Sequence, residues 1–332
     1  MRFQTNYIHA ALLATAIGVA GCGSQRQDAT PAAVPPYTGV PISLHPAPGE
    51  HAVNASLDRS SLAYINARRA EVGLPPIVAD RDVAAAAAAH ASYLRLNSAH
   101  GHDEVVGAQG FTGVDVTARV RLHTPTYGAS EVLSVVGGAQ QPASAIADIF
   151  AAPLHRGVIL FDWARAGEAV DGLNAGITVV DFADIAPVLT DAELVAYPYD
   201  GQTDVPQSWT DIEQPDPMGA NSGYFGGVVG YPITLVGSAN AHIDLRALEL
   251  TDARGKRVTC RIAPLSAADA GRNTAVCTPL VPLAAATRYA VHATGFVTQS
   301  ASAAKAPFDL RWGFATAPAN EEPKRHNDLA AR

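Results

Sequence analysis

The sequence predicts an α+β body followed by an all-β sandwich. Three observations carry this. Apolar residues recur at helical spacing through the first half of the chain. Strict alternation replaces that spacing beyond Pro198. Gly and Pro then punctuate the second half at short intervals, as turns between short strands require.

Leu62, Ile65 and Arg69 fall on one helical face in 57–72, and Gly73-Leu74-Pro75-Pro76 stops that helix. Asp80 can cap a second helix that holds the alanine run 84–89 and continues through Tyr93, Leu94 and Leu96. Alanine has the highest helix propensity, and its small side chain lets another element approach closely. A third helix is predicted over 114–122. Pro142 suits the first turn of a fourth over 143–151, which Pro153 ends. Residues 174–182 read as a strand with Ile177 and Val179 facing one way. Beyond Pro198, strands are predicted at 233–236, 242–250, 257–262, 288–296 and 308–314. The last is the clearest, with Phe308, Leu310, Trp312 and Phe314 alternating against Asp309, Arg311 and Gly313. Val258, Cys260 and Ile262 alternate in the same way, so the second body reads as a sandwich.

The ends carry different signals. Arg2 and the apolar run from Ile8 to Val19 read as an export signal, too short for a membrane span of about 20 residues. The run closes on Val19-Ala20-Gly21-Cys22, which resembles the bacterial lipobox and implies acylation of Cys22. Gly23 after the cysteine favours the outer membrane over the inner. Residues 22–52 are rich in proline and alanine and read as a tether. The predicted organisation is therefore a lipoprotein signal at 1–21, the tether, a first body at 53–190, a sandwich at 195–317 and a disordered tail at 318–332. Net charge is −8, without clustered Lys or Arg, which argues against nucleic acid as a partner. Cys260 and Cys277 form an even pair in an exported protein, a disulfide candidate whose loop closure would stabilise by about 3 kcal/mol. Neither has the CxxC spacing of a redox or zinc site.

Chemistry is expected where His100 and His102, Glu131 and His155 could converge, because His and carboxylates bind metals and move protons near neutral pH. Arg156 reads as structural, pairing with a carboxylate or backbone carbonyls. His51, His90, His123, His242, His292 and His326 read as structural or exposed.

These segments have an order. Ile65-Asn66-Ala67-Arg68-Arg69, then Gly73-Leu74-Pro75-Pro76, the alanine-rich helix with His90, the His102 region with Gly110-Phe111-Thr112-Gly113 and Arg119, Ala129-Ser130-Glu131, and Pro153-Leu154-His155-Arg156 follow one another. In that order they resemble the CAP superfamily (cysteine-rich secretory proteins, antigen 5 and pathogenesis-related proteins), in its bacterial secreted SCP-like branch. The resemblance covers about 57–182 and implies an α-β-α sandwich with a cleft of two histidines and two acids. His102, Glu131 and His155 take three of those places, with His102 chosen over His100. The fourth stays open between Asp103, Glu104 and Glu168. Ala129 and Ser130 replace the usual Gly and Asn beside the glutamate, and Ala152 replaces Ser. Tyr197-Pro198-Tyr199-Asp200-Gly201 and 279–291 are similar to bacterial Ig-like modules, which implies a spacer without a site of its own.

With the lipobox-like ending at Cys22, the reading is a lipid-anchored cell-envelope protein, in the periplasm or at the surface. It would bind a lipid, cell-wall or protein ligand in a His/Glu cleft. Neutral imidazoles at His102 and His155 with Glu131 could hold zinc or another divalent metal with open positions. One alternative is a metal- or acid/base-dependent hydrolase, although no GxSxG elbow or other nucleophile signature is present. A second alternative is a structural envelope protein with a vestigial cleft.

Overall fold

The alanine run does what its composition predicts: it brings a helix against a sheet. In the computed structural model, which describes residues 39–49, 60–137, 142–171, 175–264, 272–299 and 304–319, helix α2 (Arg81–Asn97) lies on strand β4 (Trp163–Asp171). The approach is so close that a Cβ on Gly167 would run into the main chain of Ala84. Asp80 caps α2 as the sequence predicts, accepting from the N–H groups of Asp82 (2.8 Å) and Val83 (3.1 Å).

The first sheet has the order β2-β4-β5-β3, with β2 at Val78–Ala79, β3 at Ala129–Gly137 and β5 at Ala175–Ile185. Strand β5 pairs antiparallel with both β3 and β4, leaving β3 at the edge. Alternate residues of β5 serve opposite layers. Ile177, Val179 and Ala183 pack with Ala87, Leu94 and Val83 of α2 and Val120 of α3 (Val116–Arg121). Val180 and Phe182 pack with α1 (Ser61–Glu71), α4 (Pro142–Ala151) and α5 (Pro153–Ile159). Helices thus cover both faces, in the α-β-α layering that the sequence implied.

Two sheets form the β-sandwich. One has the order β1-β6-β9-β13-β12, built from Ser43–Leu44, Glu193–Tyr197, Ile233–Gly237, Thr274–Pro279 and Cys260–Ile262. The other is β11-β10-β14-β15, from Arg257–Val258, Ala241–Asp252, Arg288–Gln299 and Lys305–Ala315. A short pair, β7 (Ser208–Thr210) and β8 (Val228–Gly230), brackets a long loop. In β15 Phe308, Leu310, Trp312 and Phe314 are buried, in the predicted register. Cys260 and Cys277 are disulfide-bonded between neighbouring strands.

Three expectations need correction. The predicted strand 257–262 is two strands: Val258 pairs with β10 and Cys260 with β13, so the chain changes sheets at Thr259. The alternation survives because both short strands turn the same set of side chains towards the sandwich interior. Residues 39–49 of the predicted tether are structured: Ile42 is buried and β1 pairs parallel with β6. Pro153 ends α4 but also opens α5 at its first position, so His155 sits on a helix. The signal, the rest of the tether and nearly all of the predicted tail lie outside the described residues.

The described residues lie in one unit, Pro35–Arg332, and its main core is continuous. It runs from Leu62 and Ile65 of α1 through Phe150 and Ile159 to Val236, Leu310 and Trp312 of the sandwich. Gly157 shows how closely the bodies meet, because a Cβ there would strike the side chain of Thr274 on β13.

Candidate functional site

Alpha2 ends at Ser98, whose left-handed conformation (φ 49°) turns the chain into the loop that carries His102. Glu104 is enclosed inside that loop, accepting from the N–H groups of Thr112 (2.6 Å) and Gly113 (3.2 Å). It also meets Nδ1 of buried His90 at 2.9 Å, while His90 Nε2 faces the carbonyl of Gly101 at 3.2 Å. Glu104 is a structural staple and not a cleft acid.

Arg119 fixes the next layer. Its guanidinium donates to the carbonyl of His102 at 2.7 Å and to Oε2 of Glu131 at 2.9 Å. The other oxygen, Oε1, accepts from Nδ1 of His102 at 2.7 Å. Burial pushes the Glu131 carboxyl up, yet the His102 hydrogen bond and the charges of Arg119 and His90 outweigh it and hold Glu131 below the usual range. Its direct partner across the sheet, Asp181, is pushed well above that range by burial and by the charge of Glu131. Burial and the like charge of Glu131 thus both oppose a second negative charge at Asp181.

His155 comes from the other side. Ala152, at the N-cap of α5, has no side-chain acceptor to offer the free N–H groups there. Glu213, in the loop after β7, supplies it: its carboxylate accepts from the N–H groups of Leu154 (3.1 Å) and His155 (2.7 Å) and from Nδ1 of the His155 ring. Arg156, next in sequence, turns inward. It donates to the carbonyls of Phe150 (3.0 Å), Ala151 (3.0 Å) and Pro232 (2.8 Å) and to Thr234 Oγ1 (3.1 Å). Its guanidinium lies over the rings of Phe150, Tyr197 and Tyr231. The predicted structural role of Arg156 thus rests on carbonyls and rings.

The His102 and His155 rings face each other with centroids 6.4 Å apart. Of the candidates for the fourth acid, Asp103 is exposed, Glu104 is the loop staple, and Glu168 binds Ser60 Oγ (2.7 Å) and the N–H of Leu62 (3.0 Å) at the start of α1. Glu213 takes the position that none of them does. It lies in the body expected to have no site, and only its distance from α5 in space could have found it. His100 is exposed. His90, read as merely structural, is built into the cluster, with Nε2 3.7 Å from Glu131.

A carboxylate can only accept, so Nδ1 is the donor in both rings and a neutral ring keeps Nε2 as its lone pair. A carboxylate bound to one ring nitrogen in this way is how proteins orient a histidine's other nitrogen toward a metal. Among the described residues no three His, Cys, Asp or Glu side chains are grouped to hold an ion. A zinc–nitrogen bond of about 2.0–2.1 Å and a tetrahedral angle put two ligating ring centroids roughly 5.2 Å apart. The observed 6.4 Å is about 1 Å more open. The donor chemistry fits a two-histidine seat whose remaining positions water or ligand would fill.

Residues 62–160 match the model of the cysteine-rich secretory protein (CAP) family. The first body of this chain is a CAP domain. An extracellular protein from Bacillus anthracis that contains an SCP domain is similar at 18% identity, over 37% of this chain and 38% of that one, with a TM-score of 0.32. This chain therefore spans well under half of that protein. An outer surface protein from Borrelia burgdorferi is similar at 16% identity, over 38% of this chain and 90% of its own length, also with a TM-score of 0.32. No curated protein matches. No helix among the described residues is long and apolar enough to cross a membrane.

Proposed function

We propose that this is an exported, lipid-anchored binding protein of the cell envelope, whose cleft takes an amphiphilic ligand at His102 and His155. The observation that carries the reading is the pair of imidazoles, each with Nδ1 tied to a buried carboxylate, facing each other across one gap. Each ring offers Nε2 to a polar head or to a divalent ion, zinc being the class that imidazole suits. Three exposed apolar side chains flank these groups: Val105 and Val106 on the His102 loop, and Ile212 beside Glu213. They suit the apolar part of a lipid or a lipid-linked cell-wall precursor better than a wholly polar ligand. Acyl chains on Cys22 would hold the protein to the outer membrane.

Calorimetry with zinc, with and without phospholipid micelles, tests the cleft. Zinc or micelle binding is expected in the parent, and its loss in both His102→Ala and His155→Ala. Binding that survives both substitutions overturns the reading. Cys22→Ser is expected to move the protein from the membrane to the soluble fraction. A variant that stays with the membrane removes the anchor from the proposal.

A further inference from the structure

The loop between β7 and β8 holds a buried carboxylate that the cleft does not use. Asp211 is wholly covered from solvent, and neither side-chain oxygen has a hydrogen-bond partner. Its main chain is clamped: its N–H donates to Gly227 O at 2.9 Å, and its carbonyl accepts from Gly226 N–H at 2.6 Å. The charged groups that it feels are themselves acids, Asp216 and then Glu213; burial first, and these charges second, push its carboxyl up to about 6.

Two other buried aspartates without close side-chain partners have an evident resort. Asp162 is eased by the N–H groups of Val188 and Leu189, and Asp181 leans on Glu131. Asp211 has neither. Asp216 is already set in place, with Oδ1 accepting from Met218 N–H (2.7 Å) and Oδ2 from Ser222 Oγ (3.3 Å). A buried carboxylate with no hydrogen-bond partner, in a loop whose other nearby charges are acids, is costly, and a shared cation would remove that cost.

We propose that Asp211 and Asp216 seat a divalent cation of the hard, oxygen-preferring class, calcium in particular, in the loop that carries Glu213. Two acids cannot complete a nitrogen-and-sulfur type of site, and among the described residues no third His, Cys, Asp or Glu is grouped with them. Calcium takes about 6–8 oxygens and draws freely on carbonyls and water. The loop offers backbone for this, turning repeatedly through positive φ at Gly219, Asn221, Gly223 and Gly226. The ion would steady the segment that caps α5 and orients His155, yet its donors are oxygens where the cleft's are nitrogens.

The test is calcium titration of the whole chain by calorimetry and thermal unfolding, beside Asp211→Asn and Asp216→Asn. One site is expected, with Kd on the order of 10⁻⁴–10⁻³ M as in extracellular modules. At about ten times Kd, calcium is expected to raise the melting temperature by about 2–4 °C. Asp211→Asn keeps the shape and should fold, with calcium binding at least about tenfold weaker. Asp216→Asn should weaken it similarly. No calcium heat and no melting shift in the parent overturns the proposal, as does an unchanged calcium response in Asp211→Asn. His155→Ala leaves both aspartates in place, so it separates this site from the cleft: calcium binding should persist where zinc binding fails.

Discussion

Replacing Glu213 with alanine tests whether the second body completes the first. The carboxylate takes three hydrogen bonds at the start of α5, from the N–H groups of Leu154 and His155 and from the His155 ring. Losing an N-cap costs about 0.5–2 kcal/mol, and each buried donor left bare adds about 1–3 kcal/mol. Water can reach part of this site, since His155 keeps 18% of its side-chain exposure, and that offsets some of the loss. Relief of a buried charge offsets more, so the net cost should be about 3 kcal/mol. In a chain of 332 residues that lowers the melting temperature by roughly 4–6 °C. Urea unfolding followed by circular dichroism and by tryptophan fluorescence measures it. Nitrogen NMR of the His155 ring gives a second readout, expected to lose its fixed Nδ1–H tautomer. His155→Ala keeps the cap and should cost much less. A loss below about 1 kcal/mol in Glu213→Ala, or an unchanged ring tautomer, would refute the assignment.

Asp181→Asn should stabilise the protein at neutral pH by about 1 kcal/mol or more, because it removes an acid whose charged form burial and the Glu131 charge both oppose. The parent's Asp181 binds its proton more tightly folded than unfolded. Its contribution therefore falls as pH rises from the unfolded value of about 3.9 towards the raised folded one. Glu131 has the opposite sign: its stabilisation is complete above about 4.3 and fades as pH falls to its lowered folded value. Melting curves from about pH 4 to about pH 8, upward from the unfolded aspartate value, should be flatter in Asp181→Asn. Reducing the Cys260–Cys277 bond, which spans 17 residues, should cost about 3 kcal/mol by urea unfolding. Gly157→Val should cost about 1–3 kcal/mol by overpacking against Thr274, with partial recovery in the double variant with Thr274→Ala.

What the sequence made legible is what local chemistry specifies. Asp80 caps the helix predicted for it, and β15 alternates as written, because capping and period-two burial act within a few residues. His155 was found through its neighbours in sequence. Its acid was not, because Glu213 stands 58 residues downstream in Asp211-Ile212-Glu213-Gln214-Pro215, a stretch without periodicity. Glu104 and Glu168 were nearer in sequence, and each already closes a hydrogen-bond set of its own. Strand β1 was hidden among prolines, since two residues paired to β6 leave no pattern to read.

Arg156 and Glu213 together explain why the two bodies form one unit. One charge leaves α5 for the sandwich, where Pro232 O and Thr234 Oγ1 receive it. The other arrives from the sandwich side to cap the same helix. A fragment ending at residue 197 would therefore lose the cap of α5 and two of the four acceptors around a fully buried guanidinium. It would also open the shared core beside Phe150 and Ile159. Breaking one side of a buried charge arrangement costs about 3–5 kcal/mol, comparable to the whole stability of many domains. The fragment should lack a cooperative melting transition and give collapsed amide dispersion. If it unfolds cooperatively with a dispersed spectrum, the CAP body stands alone and the sandwich only completes its cleft.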